Sequence, residues 1–138
     1  MLSITKIFTF EAAHRISNHP AACSQLHGHS YKLHVTIGAE EPGDDDMLMD
    51  FKELKTLVQH NVIDKLDHSL MLKNIPSHLQ TYANAEKVFW MDHEPTAERL
   101  VLWIAQVIKP LLPSKVNLNG LKIYETETCY VNWENNKR

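Results

Sequence analysis

Apolar and polar positions alternate from residue 4 onward: Phe8, Phe10, Ala12 and His14 fall on one face, with Thr9, Glu11 and Arg15 opposite. That period of two predicts a strand from Ile4 to Arg15, with His14 closing its apolar stripe. Residues 16–26 carry Asn18, Pro20 and Ser24 and read as a loop. A second strand is expected from about His29 to Glu40, because Tyr31, Leu33, Val35 and Ile37 continue one face while Lys32, His34 and Thr36 take the other. His34 is therefore expected to face solvent.

After Pro42-Gly43 and the acidic run Asp44–Asp46, the period changes to that of a helix. Phe51, Leu54, Val58 and Val62 step by three and four with Leu57 beside them, predicting a helix from Phe51 to Lys65 capped by Asp50. Residues 73–94 show no clean period. They read as loop around Val88-Phe89-Trp90-Met91, an apolar run that needs burial. A second helix opens at Pro95-Thr96-Ala97-Glu98, with Ala97, Leu100, Val101, Ile104, Val107, Ile108 and Leu111 on one face and Pro110 and Pro113 at its end. Thr96 suits the N-cap, and Glu98 suits the positive end of the helix dipole. Two further strands are expected at about Lys115–Glu125 and Glu127–Trp133, with a bulge at Gly120 where the apolar phase changes. The order is ββααββ, an α+β domain with two helices on one face of an antiparallel sheet.

Length and composition narrow the functional classes. The 138 residues suit a single domain over 1–138. Fourteen basic against seventeen acidic residues give a net charge of −3 without a basic cluster, which speaks against nucleic acid and polybasic membrane binding. No apolar run approaches the roughly 18 residues of a membrane span, and the start of the chain lacks a signal-peptide pattern, so a soluble cytoplasmic protein is expected. Two cysteines are too few for a disulfide scaffold, whereas nine histidines point to metal or proton chemistry.

The chemistry concentrates in C-S-Q-L-H-G-H-S-Y, residues 23–31. On a strand His27 and His29 share a face, and Gly28 between them leaves room for close approach of a ligand. Two imidazoles on one face with a third from another strand can hold zinc and leave its fourth position open. His14 is the candidate third ligand, and the alternative for it is a core histidine. Cys23 has three readings: a ligand, a reactive thiolate beside the metal, or an inert small hydrophobe. Asp67 and His68 are adjacent in sequence, so a joint role requires irregular backbone.

F-E-A-A-H-R (10–15), C-x3-H-G-H-S-Y (23–31), D-F-x-x-L-K (50–55), L-D-H (66–68), P-T-x-E (95–98) and Y-E-T (124–126) occur in one order. That order resembles the 6-pyruvoyl-tetrahydropterin synthase family, most closely its bacterial 6-carboxytetrahydropterin-forming branch in the queuosine pathway. The resemblance covers nearly the whole chain. It implies the tunnelling T-fold, whose subunits join through their sheets into a barrel, and hence a homo-oligomer, a hexamer of two stacked trimers. It places zinc on His14, His27 and His29. It makes Cys23 the general base, sets Asp67 and His68 as its partners, and makes Glu125 the anchor of the pterin, with Thr126, Thr96 and Glu98 as secondary contacts. The implied substrate is 7,8-dihydroneopterin triphosphate, and the implied products are 6-carboxytetrahydropterin, acetaldehyde and triphosphate. Rival readings are a 6-pyruvoyl-forming synthase and a zinc- or pterin-binding module without chemistry. The chain departs from the family pattern at Leu72, where asparagine is common, and in residues 77–93, which read as an insertion. It also reaches Tyr130 sooner after Thr126 than bacterial relatives usually do.

Overall fold

The computed structural model describes residues 1–19 and 24–136. Its centre is a long hairpin of β1 (Leu2–His14) and β2 (His27–Ala39), antiparallel and in register from Leu2↔Ala39 to His14↔His27. Alternation sorts the two faces as expected. Phe8, Phe10, Ala12 and His14 of β1 and Tyr31, Leu33, Val35 and Ile37 of β2 are buried on one side. The other side is open, with Thr5 hydrogen-bonded to Thr36 at 2.7 Å and Ile7 about half exposed. His34 lies on that open side, half-buried against the ring of Tyr124 rather than fully solvated.

α1 (Phe51–Val58) begins where the sequence places it, with the Asp50 carboxylate accepting from the Lys52 amide. It does not continue as regular helix to Lys65. A π-helical stretch over Gln59–Ile63 leads into the short α2 (Asp64–Leu66). The wider turn keeps Leu54, Val58, Val62, Ile63 and Leu66 in the core. Phe51, assigned by its spacing to the apolar face, is 52% exposed in the first turn.

The region read as loop holds α3 (Pro76–Thr81) and β4 (Val88–Met91), and just before it, where no strand is expected, lies β3 (Ser69–Lys73). β3 pairs parallel to β1, and β4 pairs parallel to β3. The expected four-stranded antiparallel sheet is therefore a mixed six-stranded one. The inner parallel strand β3 reads as the run S-L-M-L, without the period of two that exposes a strand in sequence.

α4 (Ala97–Ile108) packs Leu100, Val101, Ile104 and Ile108 onto the sheet, each contributing roughly 1.5–3 kcal/mol by burial. Thr96 caps it by accepting from the Arg99 amide, worth about 1 kcal/mol. Packing thus outweighs capping in holding this helix. A 3-10 turn over Lys109–Leu111 ends it.

β5 (Asn117–Thr126) and β6 (Cys129–Glu134) complete the sheet, whose order is β4-β3-β1-β2-β5-β6. The bulge expected at Gly120 is present: Thr36 pairs with Gly120 and Ile37 with Leu118, leaving Asn119 as the extra residue. A second irregularity falls between Tyr124 and Thr126, at Glu125. Val131 and Trp133 pack half-buried against this chain's own core, with Lys109 Nζ 5.2 Å from the Trp133 ring centre. Among the described residues no helix is long and apolar enough to cross a membrane.

Candidate metal centre

The register of the central hairpin builds the site. His14 is the last residue of β1 and His27 the first of β2, and the two are cross-strand partners. His29, two residues along β2, pairs with Ala12 on the same face. The three imidazoles converge there with ring centres 4.6 to 5.0 Å apart and planes crossed at 70° to 87°. One nitrogen from each lies within 4.8 Å of the others.

Hydrogen bonds fix which nitrogen each ring presents. His14 Nδ1 is 2.8 Å from the Pro95 carbonyl, and His27 Nδ1 is 2.8 Å from the Gln25 carbonyl. A carbonyl only accepts, so both Nδ1 atoms carry the proton and both Nε2 atoms present lone pairs. Those two Nε2 atoms face each other at 3.1 Å. His29 Nε2 is buried and has no hydrogen-bond partner, with the Glu125 carboxylate the nearest charge at 3.4 Å.

Two opposed lone pairs and a buried orphan nitrogen are costly in a finished core and suit a shared cation. Tetrahedral zinc with bonds of about 2.0–2.1 Å sets its donors roughly 3.3 Å apart, close to the His14–His27 spacing. The three histidines could thus hold a metal. Burial lowers the proton affinity of His14, opposed by its bond to Pro95 and by Glu125 and aided by the two neighbouring imidazoles. Burial also dominates the lowering at His29, with Glu125 opposing it. Neutral imidazole is the form that ligates. The Tyr31 hydroxyl lies 3.4 Å from His14 Nδ1, and burial together with Glu125 pushes its ionisation far above the ordinary tyrosine range.

The remaining sequence candidates divide. Glu125 sits beside the triad, turned there at the irregularity in β5. Asp67 and His68 gather instead at Glu11, whose side chain faces away from the triad. The Glu11 amide donates to Asp67 Oδ1 at 2.9 Å, and the His68 amide donates to the Glu11 carbonyl at 2.6 Å. His68 Nδ1 is 3.1 Å from Asp67 Oδ1, and its ring is 78% exposed. The irregular backbone that a joint role requires is present, with His68 at φ 60°. The Glu11 amide, and then His68 and Lys87, hold the Asp67 carboxyl below its ordinary range. Among the described residues no hydrogen bond or ion pair joins Asp67 or His68 to the triad. Thr126 accepts from the Thr128 amide within the β5–β6 turn. Thr96 is occupied as the helix cap, and Glu98 is exposed in the first turn of α4. Cys23 lies outside the described residues.

Several supports had no legible signal. The carbonyls of Pro95 and Gln25 orient two of the rings, and a backbone acceptor has no side-chain identity to read. The Glu94 carboxylate takes the amide of Ser17 at 2.7 Å and its hydroxyl at 2.6 and 2.9 Å, tying the end of β1 to the start of α4. Lys87 Nζ donates to the carbonyls of Asp64 and Asp67, both at 2.6 Å, and so braces the turn that carries His68.

The family model described as 6-pyruvoyl tetrahydropterin synthase matches residues 3–136. A relative from Rickettsia bellii named 6-carboxy-5,6,7,8-tetrahydropterin synthase is 34% identical over 137 residues, covering 95% of this chain and 99% of its own. Among solved structures, an uncharacterized protein from Wolinella succinogenes superposes with a TM-score of 0.84 at 20% identity, covering 97% of this chain and 98% of its own. The 6-pyruvoyl tetrahydropterin synthase of Caenorhabditis elegans does so with a TM-score of 0.71 at 20% identity, covering 97% and 95%. At such identities the two structures speak to the fold alone.

Proposed function

Since the chain belongs to the 6-pyruvoyl tetrahydropterin synthase family, we propose that it is a zinc-dependent lyase acting on 7,8-dihydroneopterin triphosphate. With one water consumed, the products are 6-carboxy-5,6,7,8-tetrahydropterin, acetaldehyde and triphosphate, as a step in queuosine biosynthesis. The observation that carries this reading is the convergence of His14, His27 and His29, with two Nε2 lone pairs opposed at 3.1 Å and Glu125 alongside. The name carried by the Rickettsia bellii relative supports the carboxy product over the pyruvoyl one.

His14 and His27 would hold the metal through Nε2, each with its Nδ1 pinned to a carbonyl, and His29 through its buried, unpartnered Nε2. Zinc bound there supplies Lewis acidity to the hydroxyls of the substrate side chain. Glu125 accepts two parallel N–H bonds from the pterin edge, which fixes the ring relative to the triad. Cys23 takes a proton from the side chain, and the Asp67–His68 pair sets its protonation. Within one chain Asp67 and His68 gather at Glu11, away from the triad. We therefore read the complete site as formed between copies, in a homo-oligomer closed as a hexamer through the edges left free at β4 and β6.

Mass spectrometry of the products from dihydroneopterin triphosphate tests the reaction. Carboxytetrahydropterin with acetaldehyde is expected. Pyruvoyltetrahydropterin without acetaldehyde would assign the elimination reaction instead. His27→Ala is expected to lose zinc, and Cys23→Ala to keep zinc and lose turnover. Loss of zinc from Cys23→Ala would indicate a closed site with the thiolate as fourth ligand.

A further inference from the structure

Arg15 and His78 play no part in the reading above, yet they form a part-buried link that leads to His27. His78 lies in α3, within the segment that departs from the family pattern, and is 2% exposed. Its Nδ1 is 2.8 Å from the Lys73 carbonyl and must donate to it, so its Nε2 is an acceptor. Arg15 Nη1 donates to that Nε2 at 2.6 Å. The same guanidinium, through Nε, donates to the Ser24 carbonyl at 2.6 Å. The next residue is Gln25, whose carbonyl receives the His27 Nδ1 proton at 2.8 Å.

We propose that Arg15 and His78 are positioning residues for His27: His78 anchors the Arg15 fork, and the fork holds the 24–25 segment that orients the His27 ring. The inference rests on the reading of His14, His27 and His29 as metal ligands. Arg15 follows His14 directly, so one guanidinium couples the chain beside the first ligand to the backbone that orients the second. Arginine has a long, rotamer-rich stem, and a fixed acceptor at its far end selects the one geometry that reaches both partners. Outer partners of ligating histidines set metal affinity by a factor of roughly 10 to 100.

The test uses full-length protein stripped by a chelator, with zinc affinity read by competition against a chromophoric chelator. His78→Leu removes the acceptor. His78→Gln restores it, since the amide oxygen accepts from Arg15 while its nitrogen donates to Lys73. Arg15→Lys keeps the charge and the buried histidine but loses the fork, so it decides the matter even where His78→Leu folds poorly. Expected are losses of roughly tenfold or more in zinc affinity for His78→Leu and Arg15→Lys, near-parental affinity for His78→Gln, and shifted visible bands in the cobalt(II) forms of the two weakened variants. Equal affinity and identical cobalt spectra in Arg15→Lys and the parent would overturn the proposal while leaving the triad reading intact. Equal losses in His78→Leu and His78→Gln would reduce His78 to a packing element and overturn it as well. A parent protein that binds no zinc would overturn the triad reading, and this inference with it.

Discussion

His14 and His27 meet across the ends of β1 and β2 with their Nε2 atoms 3.1 Å apart, and neither nitrogen has a proton to give. Each ring spends its single N–H on a carbonyl behind it. The pair is therefore repulsive without a cation and cohesive with one. Zinc is expected to stabilise the chelator-stripped protein by about 2.7 kcal/mol at a free concentration a hundredfold above the dissociation constant, and so to raise its melting temperature. His14→Ala, which removes one of the opposed nitrogens, should abolish that zinc-dependent shift. Scanning calorimetry with and without zinc checks this, and an unchanged melting temperature in the parent would count against the site.

The same burial sets a pH dependence for the metal-free protein. His14 and His29 are held below the ordinary histidine value of 6.5, chiefly by desolvation. Between their depressed folded values and 6.5 the unfolded chain binds more protons than the folded one. Stability is thus fully present above 6.5 and declines as pH falls through the folded values, by at most about 1.4 kcal/mol per pH unit for each histidine. Thermal melts from pH 8 to pH 5 should show this decline. A rise in stability on acidification across that window would contradict it.

Glu125, the proposed pterin anchor, lies 3.4 Å from His29. Glu125→Gln keeps the shape but loses one acceptor and the charge. We expect a cost of about 2 kcal/mol in pterin binding, or roughly a 30-fold rise in KM, with zinc retained. Steady-state kinetics together with metal analysis separates this from loss of the metal.

Lys87 is the brace of the Asp67–His68 turn, donating to the carbonyls of Asp64 and Asp67. His68 occupies the left-handed region at φ 60°, an unfavourable place for a side chain with a Cβ, and holds it only while its neighbours do. Lys87→Met keeps the apolar stem and removes both bonds. A fall of roughly 10- to 100-fold in kcat is expected with zinc content unchanged, and Lys87→Arg should recover part of it. Equal kcat in Lys87→Met and the parent would show that the turn stands without this brace.

Thr96 tests how far helix capping explains the start of α4. Its hydroxyl accepts from the Arg99 amide at 3.2 Å. Thr96→Ala should cost about 1 kcal/mol in denaturant unfolding at an unchanged slope. A change far below that would mean the packing of Leu100 and Ile104 holds the helix start without the cap.

The period of two in F-T-F-E-A-A-H and in H-S-Y-K-L-H-V-T-I determined the central hairpin, its buried face and the placement of His14, His27 and His29 on that face. Strand geometry leaves no other outcome once one face is apolar, because a slip of one residue would turn every core side chain outward. The spacing of Leu100, Val101, Ile104 and Ile108 settled α4 in the same way. Tertiary structure alone decided the rest. β3 takes β1 as its partner and β4 takes β3, and an inner parallel strand such as β3 carries no alternation to announce itself. Phe51 shares the spacing of Leu54 and Val58, yet it stays 52% exposed in the first turn of α1 while they are buried. Which way each histidine ring turns was settled by the carbonyls of Pro95 and Gln25, brought from residues 81 positions away and two positions away along the chain. Every residue has a carbonyl, so only the folded backbone could say which ones would face the imidazoles.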